Sequence, residues 1–236
     1  MFLVFDDRPS PSPFIERVWR CHSLHAGAFT SIASPHWEMV ATRHRALIRF
    51  TVRGPETRPT MIDCPAEGEW FGIRFRLGVF MLNQPVARLI DRQDVDLPIM
   101  SGRSFWLDGA EWDFPDFSNA ETFVARLASR GFIARDSAVE AALAGDDQAL
   151  SVRSVQRHFR QATGMSHGTY RQIARARHAT RLLRGGVSIL DTVHEAGFFD
   201  QAHLGRSLKR LIGQTPASIM RQEDQLSFLY KTAFAA

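Results

Sequence analysis

Residues 188–216 read SILDTVHEAGFFDQAHLGRSLKRLIGQTP. The spacing predicts a helix, a glycine turn and a second helix. Ser188 stands at an N-cap position with Asp191 three residues on, an acidic variant of the capping box. Ile189, Leu190, Val193 and Ala196 supply the apolar side of the first helix. Gly197 then allows a tight turn, because glycine meets no steric penalty at positive φ. Asp200 caps a second helix expected over 201–212, with Leu204, Leu208 and Leu211 inward and Gly213 at its end. Thr215 and Pro216 pair an N-cap with proline at the first helical position, opening a last helix to about Asp224.

Upstream the same punctuation recurs. Ser151 caps a helix expected over 152–162, with Val155 and Phe159 on its apolar face and Gly164 closing it. Ser166 caps a long helix, 167–184, that carries arginine at 171, 175, 177, 181 and 184. There is no internal repeat of fixed period. Residues 144–149 (AGDDQA) form the best domain boundary.

Charge follows this division. The 236-residue chain has a net charge of +4. Residues 1–150 are acidic by 4, residues 151–221 are basic by 9, and the last 15 residues are acidic by 1. Clustered arginine attracts phosphate and releases condensed counterions, so the basic segment suggests a polyanion partner. A solvated arginine face on an all-α bundle is the plainer alternative. Helix, short turn and helix is also the arrangement whose second helix enters the major groove. Arginine pairs with guanine edges and glutamine with adenine edges, which suits Arg206 and Gln201 to base reading.

The front half has a different texture. Residues 46–52 (ALIRFTV) and 70–77 (WFGIRFRL) alternate near period two and predict strands. All five tryptophans lie in this half. Residues 119–131 predict a helix, with Phe123, Val124 and Leu127 on one face. The longest apolar runs fall short of the ~18 residues of a membrane span, and the apolar start is too short for a signal segment. Two cysteines exclude a disulfide scaffold. A cytoplasmic location with no membrane association is the expectation.

Several spaced residues carry a family resemblance. Ile189, Thr192-Val193, Gly197-Phe198, residues 204–209 (LGRSLK), Gly213 and Pro216 resemble the signature of AraC/XylS-type transcription regulators. Residues 155–160 (VQRHFR) and 163–166 (TGMS) resemble that family's first recognition helix and the turn after it, and 167–184 its linker helix. Leu204 and Leu208 replace the usual phenylalanines, and Thr192-Val193 the usual Ile-Ala. The family places two helices before its first recognition helix. Here only 137–143 (SAVEAAL) and a polar stretch precede Ser151, so one helix is absent or is supplied by 119–132.

The resemblance implies an α+β chain. A β-rich, cupin-like or barrel-like effector or dimerisation domain, 1–135, would precede an all-α domain, 136–224. That domain would hold two helix-turn-helix units on a linker helix, the second at 188–212, with a tail at 225–236. Double-stranded DNA is the implied partner. Arg153, Gln156, Arg157, Gln201, His203 and Arg206 would contact bases. Ser154, Arg160, Ser166, Ser188, Lys209 and Arg210 would contact phosphates. The front half would sense a small molecule, form a homodimer, or both. RNA polymerase would be contacted if the protein is an activator.

For the front half, Trp37, Trp70, Phe75 and Trp106 are candidates for an aromatic effector pocket, with core packing the plainer alternative. Cys21, His22, His25, His36 and His44 match no closed zinc spacing, so no metal is expected. No catalytic constellation, phosphate loop or cofactor motif is found, so an enzyme is not expected. Two alternatives stay open: an enzyme with a barrel-like front site and a DNA-binding tail, and a non-specific architectural DNA binder.

Overall fold

The computed structural model describes residues 2–92, 94–145, 151–221 and 226. Most of the proposed boundary at 144–149, and all of the tail at 225–236 except Leu226, lie outside the described residues.

The front half opens with β1 (Leu3–Pro9), β2 (Ile15–Ser23), β3 (Gly27–Ser31), β4 (Glu38–His44) and β5 (Leu47–Arg53). It continues with β6 (Thr60–Cys64), β7 (Glu69–Phe75) and β8 (Val79–Met81), then a short 3-10 turn at Val86–Arg88. Next come β9 (Val95–Leu97), β10 (Ile99–Ser101), β11 (Ser104–Leu107), β12 (Ala110–Asp113), α1 (Ala120–Ser129) and β13 (Ile133–Arg135). Six of these strands form one sheet in the order β1-β2-β7-β4-β5-β9, and β10-β11-β12 form a smaller one. All pairings within these sheets are antiparallel.

Side-chain alternation gives the large sheet two apolar faces. Val18, Met39, Phe50, Val52 and Ile73 pack on one side with Phe105 and Trp112 of the small sheet and with Phe123, Val124 and Leu127 of α1. Trp19, Cys21 and Val40 pack on the other side with Phe29 and Ile62 of the two-stranded β3–β6 sheet. Gly72 is required there: a Cβ on it would lie 2.2 Å from the Trp19 indole.

The back half is helical: α2 (Ser137–Ala144), α3 (Val152–Thr163), α4 (His167–Arg184), α5 (Ile189–Glu195), α6 (Gln201–Leu211) and α7 (Pro216–Arg221). Every N-cap named from the sequence is formed. Ser151, Ser166, Ser188 and Asp200 accept the backbone N–H of Ser154, Thr169, Asp191 and His203.

Among the described residues one helix, α2, lies between the last strand, β13, and α3. The alternative supplier at 119–132 is α1, which is committed to the β-sheet core. α2 and α3 share a small cluster of Val139, Val155, Phe159 and Ala162. The Asp136 cap of α2 also reaches α3, with its Oδ2 2.8 Å from His158 Nδ1. Phe159 also packs on His167 and Tyr170 of α4, and further support for α3 comes from the front half. At the αL cap of α3, a Cβ on Gly164 would lie 2.6 Å from the Ala87 Cα.

The end of α6 is held in the same way. Ile32 and Ala33 are buried in one cluster with Ile173, Ala176, Leu208 and Leu211. The Ala33 N–H donates to the Leu211 carbonyl at 2.9 Å. The Arg177 guanidinium donates to the Ala33 carbonyl at 3.2 Å. A Cβ on Gly213 would lie 3.2 Å from Pro59. The two halves therefore share buried apolar surface.

Candidate nucleic-acid interface

The helices α3 and α6 are built alike. Their N-caps, Ser151 and Asp200, are 49 residues apart, as are their closing positive-φ glycines, Gly164 and Gly213. Val155, Phe159 and Ala162 are buried on α3, and Leu204, Leu208 and Leu211 on α6. At 3.6 residues per turn, the opposite face of α3 carries Arg153, Gln156, Arg157 and Arg160. That of α6 carries Ala202, Gly205, Arg206 and Lys209, with Gln201 at its start. Few of the paired residues are identical, and most share a role only: Ser151 with Asp200, Phe159 with Leu208.

Arg153, Gln156, Arg157, Gln201 and Arg206 are all exposed. Among the described residues none of their side chains has an intramolecular hydrogen bond or ion pair. Unpaired polar groups in a fixed fork suit base edges, because reading a base then breaks no internal contact. His203 differs. It is half-buried, lies edge-on to the Phe198 ring at 5.3 Å and accepts the Phe199 N–H through Nδ1 at 3.4 Å. Its ring packs against the turn, one helical turn from Arg206 on the flank of the exposed stripe.

The expected phosphate contacts divide similarly. Arg160 is exposed and unpaired. Lys209 lies over the helix end, with Nζ donating to the Gly213 carbonyl at 3.2 Å. Arg210 Nη2 donates to Gln172 Oε1 at 2.6 Å. Ser154 Oγ lies 3.1 Å from Ser151 Oγ, Ser166 Oγ 2.9 Å from Thr169 Oγ1, and Ser188 Oγ donates to Asp191 Oδ2 at 2.6 Å. These serine hydroxyls bond locally at the helix starts, where first-turn backbone N–H groups have no partner within the helix.

Two residue roles left no trace in the sequence. Arg175 of the linker helix places its guanidinium 4.7 Å from the Phe198 ring centre and donates to the Gly197 carbonyl at 3.1 Å. It locks the turn between α5 and α6. Phe199 is 90% exposed, the most exposed large apolar side chain among the described residues. The doublet Phe198-Phe199 gave no sign of which ring would face out.

The structure does not bring the proposed effector-pocket residues together. Trp37 and Phe75 are core, stacked at 3.7 Å, with the Trp37 indole N–H donating to the Val79 carbonyl. Trp106 alternates with fully buried Phe105 on β11 and so points outward. Trp70 alone lines a cavity, an open cleft of about 1,100 Å³ at the outer end of the large sheet, with Phe71, Phe114, Phe117, Arg43 and Arg103. A cavity of about 60 Å³, lined by Ser31, Glu38, Arg53, Glu56 and Arg74, lies behind the segment that touches α6. Cys21 and Cys64 are buried, and burial pushes their thiols up to about 12 and about 11. Among the described residues no His, Cys, Asp and Glu side chains gather as a metal cluster, and no helix is long and apolar enough to cross a membrane.

Comparison with known families matches residues 146–222 to one described as a helix-turn-helix domain. No curated protein and no solved structure matches the chain.

Proposed function

We propose, from the AraC-type helix-turn-helix DNA-binding domain at residues 146–222 and the transcription regulation that such a domain implies, that α3 and α6 read two successive major grooves. The observation that carries this reading is the paired construction of the two helices, each capped, buried on one side and bearing unpaired Arg and Gln on the other. Arg153, Gln156, Arg157, Gln201 and Arg206 read bases. Arg160, Lys209 and Arg210, with the N–H groups at the starts of the helices capped by Ser166 and Ser188, position the backbone. A non-specific architectural binder has no need of unpaired base-reading side chains on two matched faces.

Selection of bound duplexes from a random library by the full chain tests this. The expected product is a bipartite site with halves about one helical turn, ~34 Å, apart. Recovery of unrelated sequences overturns the reading.

The β-rich region, residues 1–135, has the finer role of biasing how the two helices are presented. Its contacts at Ala33–Leu211 and Ala87–Gly164 support that role. The signal is a small molecule or self-association. Thermal shift of the full chain with small aromatic compounds, alongside light scattering with and without DNA, checks both. No shift and a monomer under both conditions overturn it.

A further inference from the structure

We infer that Phe199 is a specificity determinant of the second unit, reading the 5-methyl group of a thymine beside the bases contacted by Gln201 and Arg206. The inference rests on the DNA-reading proposal and extends it to a residue of a different chemistry.

The argument starts from cost. A phenylalanine ring left in water forgoes the stabilisation that burial of its apolar surface would return. Single exposed apolar residues are common and need no explanation by themselves. Phe199 is set apart by position and rigidity. It directly precedes Asp200, the N-cap of α6, and a recognition helix meets base edges with its N-terminal residues.

Its backbone is fixed from three sides. Gly197 holds a positive φ of 68°. Phe198 is buried, with the Arg175 guanidinium over its ring. The Phe199 N–H is held by His203 Nδ1 at 3.4 Å. The ring itself makes no ring contact among the described residues. It is therefore an apolar group presented on a rigid turn at the edge of a polar reading face.

The adjoining surface favours thymine. Ala202 is exposed, and a Cβ on Gly205 would meet nothing within 4 Å, so this part of α6 is flat and open. The thymine methyl is the apolar feature of the major groove, and contact with Ala, Thr methyl or Phe is how proteins read it.

The test uses the full-length protein and the duplex that it enriches from a random library. Thymines in the half-site of the second unit are replaced one at a time by deoxyuridine, which removes only the methyl group. One replacement is expected to weaken binding by the wild-type chain about fourfold, the equivalent of one buried methylene. Phe199→Ala should weaken binding to the thymine duplex by a similar or larger factor and lose sensitivity to that replacement. Phe199→Leu should retain part of it. Equal sensitivity of wild type and Phe199→Ala at every thymine overturns the assignment, as does a uniform loss that ignores the methyl group. Failure to enrich any duplex overturns the DNA-reading proposal itself, and this assignment with it.

Discussion

Ala33 and Leu211 lie in opposite halves of the chain, yet the N–H of Ala33 donates to the carbonyl of Leu211 at 2.9 Å. Leu211 is the last residue of α6, and carbonyls at a helix end have no partner within the helix. The β-rich region thus completes the C-terminus of α6. Ala33 is fully buried there. Ala33→Leu should overfill the site and lower stability by about 1–3 kcal/mol. Denaturant unfolding of the full chain measures this. Binding to the second half-site should weaken more than binding to the first.

Gly164 caps α3 at a φ of 75°, with Ala87 backbone atoms where a Cβ would stand. Gly164→Ala should therefore cost stability through both strain and displacement, on the order of 1–3 kcal/mol. Gly131→Ala makes a useful comparison: φ is also 75°, but nothing lies within 4 Å of its Cβ position. A loss at Gly164 no larger than that at Gly131 would show that the Ala87 contact contributes nothing.

Arg206→Ala should cost about 1–3 kcal/mol on the selected duplex and relax one base position. Competition binding against duplexes varied at each position measures this. An equal loss on random DNA would reassign Arg206 to the backbone.

Arg160→Ala should weaken binding on all sequences and flatten the slope of log K against log salt by about one unit. Titrations at several salt concentrations give the slope. An unchanged slope removes Arg160 from the phosphate contacts.

Hydrogen bonding from Arg8 holds the Glu121 carboxyl down at about 2, opposed by its burial and helped by the Ser10 hydroxyl. A depressed carboxyl contributes stability above its unfolded pKa, near 4.5, and that contribution fades as pH falls toward 2. Glu121→Gln should lower Tm at neutral pH and differ less from wild type as pH drops through that window. A difference independent of pH would mean that the ionised form plays no part.

Much of the helical half was legible because capping is local chemistry. Ser151, Ser166, Ser188 and Asp200 each announce a helix start within three residues, and each forms that cap. Strands 47–53 and 69–75 were legible from alternation. Which face of a strand becomes core depends on what packs against it, and no local pattern contains that. Hence aromatic content alone does not separate Trp106, which points outward beside buried Phe105, from Trp37 and Phe75, which fill the core. The contacts of Ala33 and Ala87 with the helices are long-range and leave no periodicity. The linker arginines illustrate the same limit: Arg175 and Arg177 are spent on Gly197 and Ala33 within the fold.

The grip of the front half on the far ends of α3 and α6 has a thermodynamic corollary. An operator that orders α3 and α6 binds, in effect, to the β-rich region as well, since neither helix end can shift without disturbing Ala33 or Ala87. Linkage is reciprocal: whatever changes the affinity of the front half for a ligand through DNA must change DNA affinity by the same factor. Bound DNA should thus be felt in the β-rich region, slowing amide exchange in β3 and around residues 86–90 far from any phosphate.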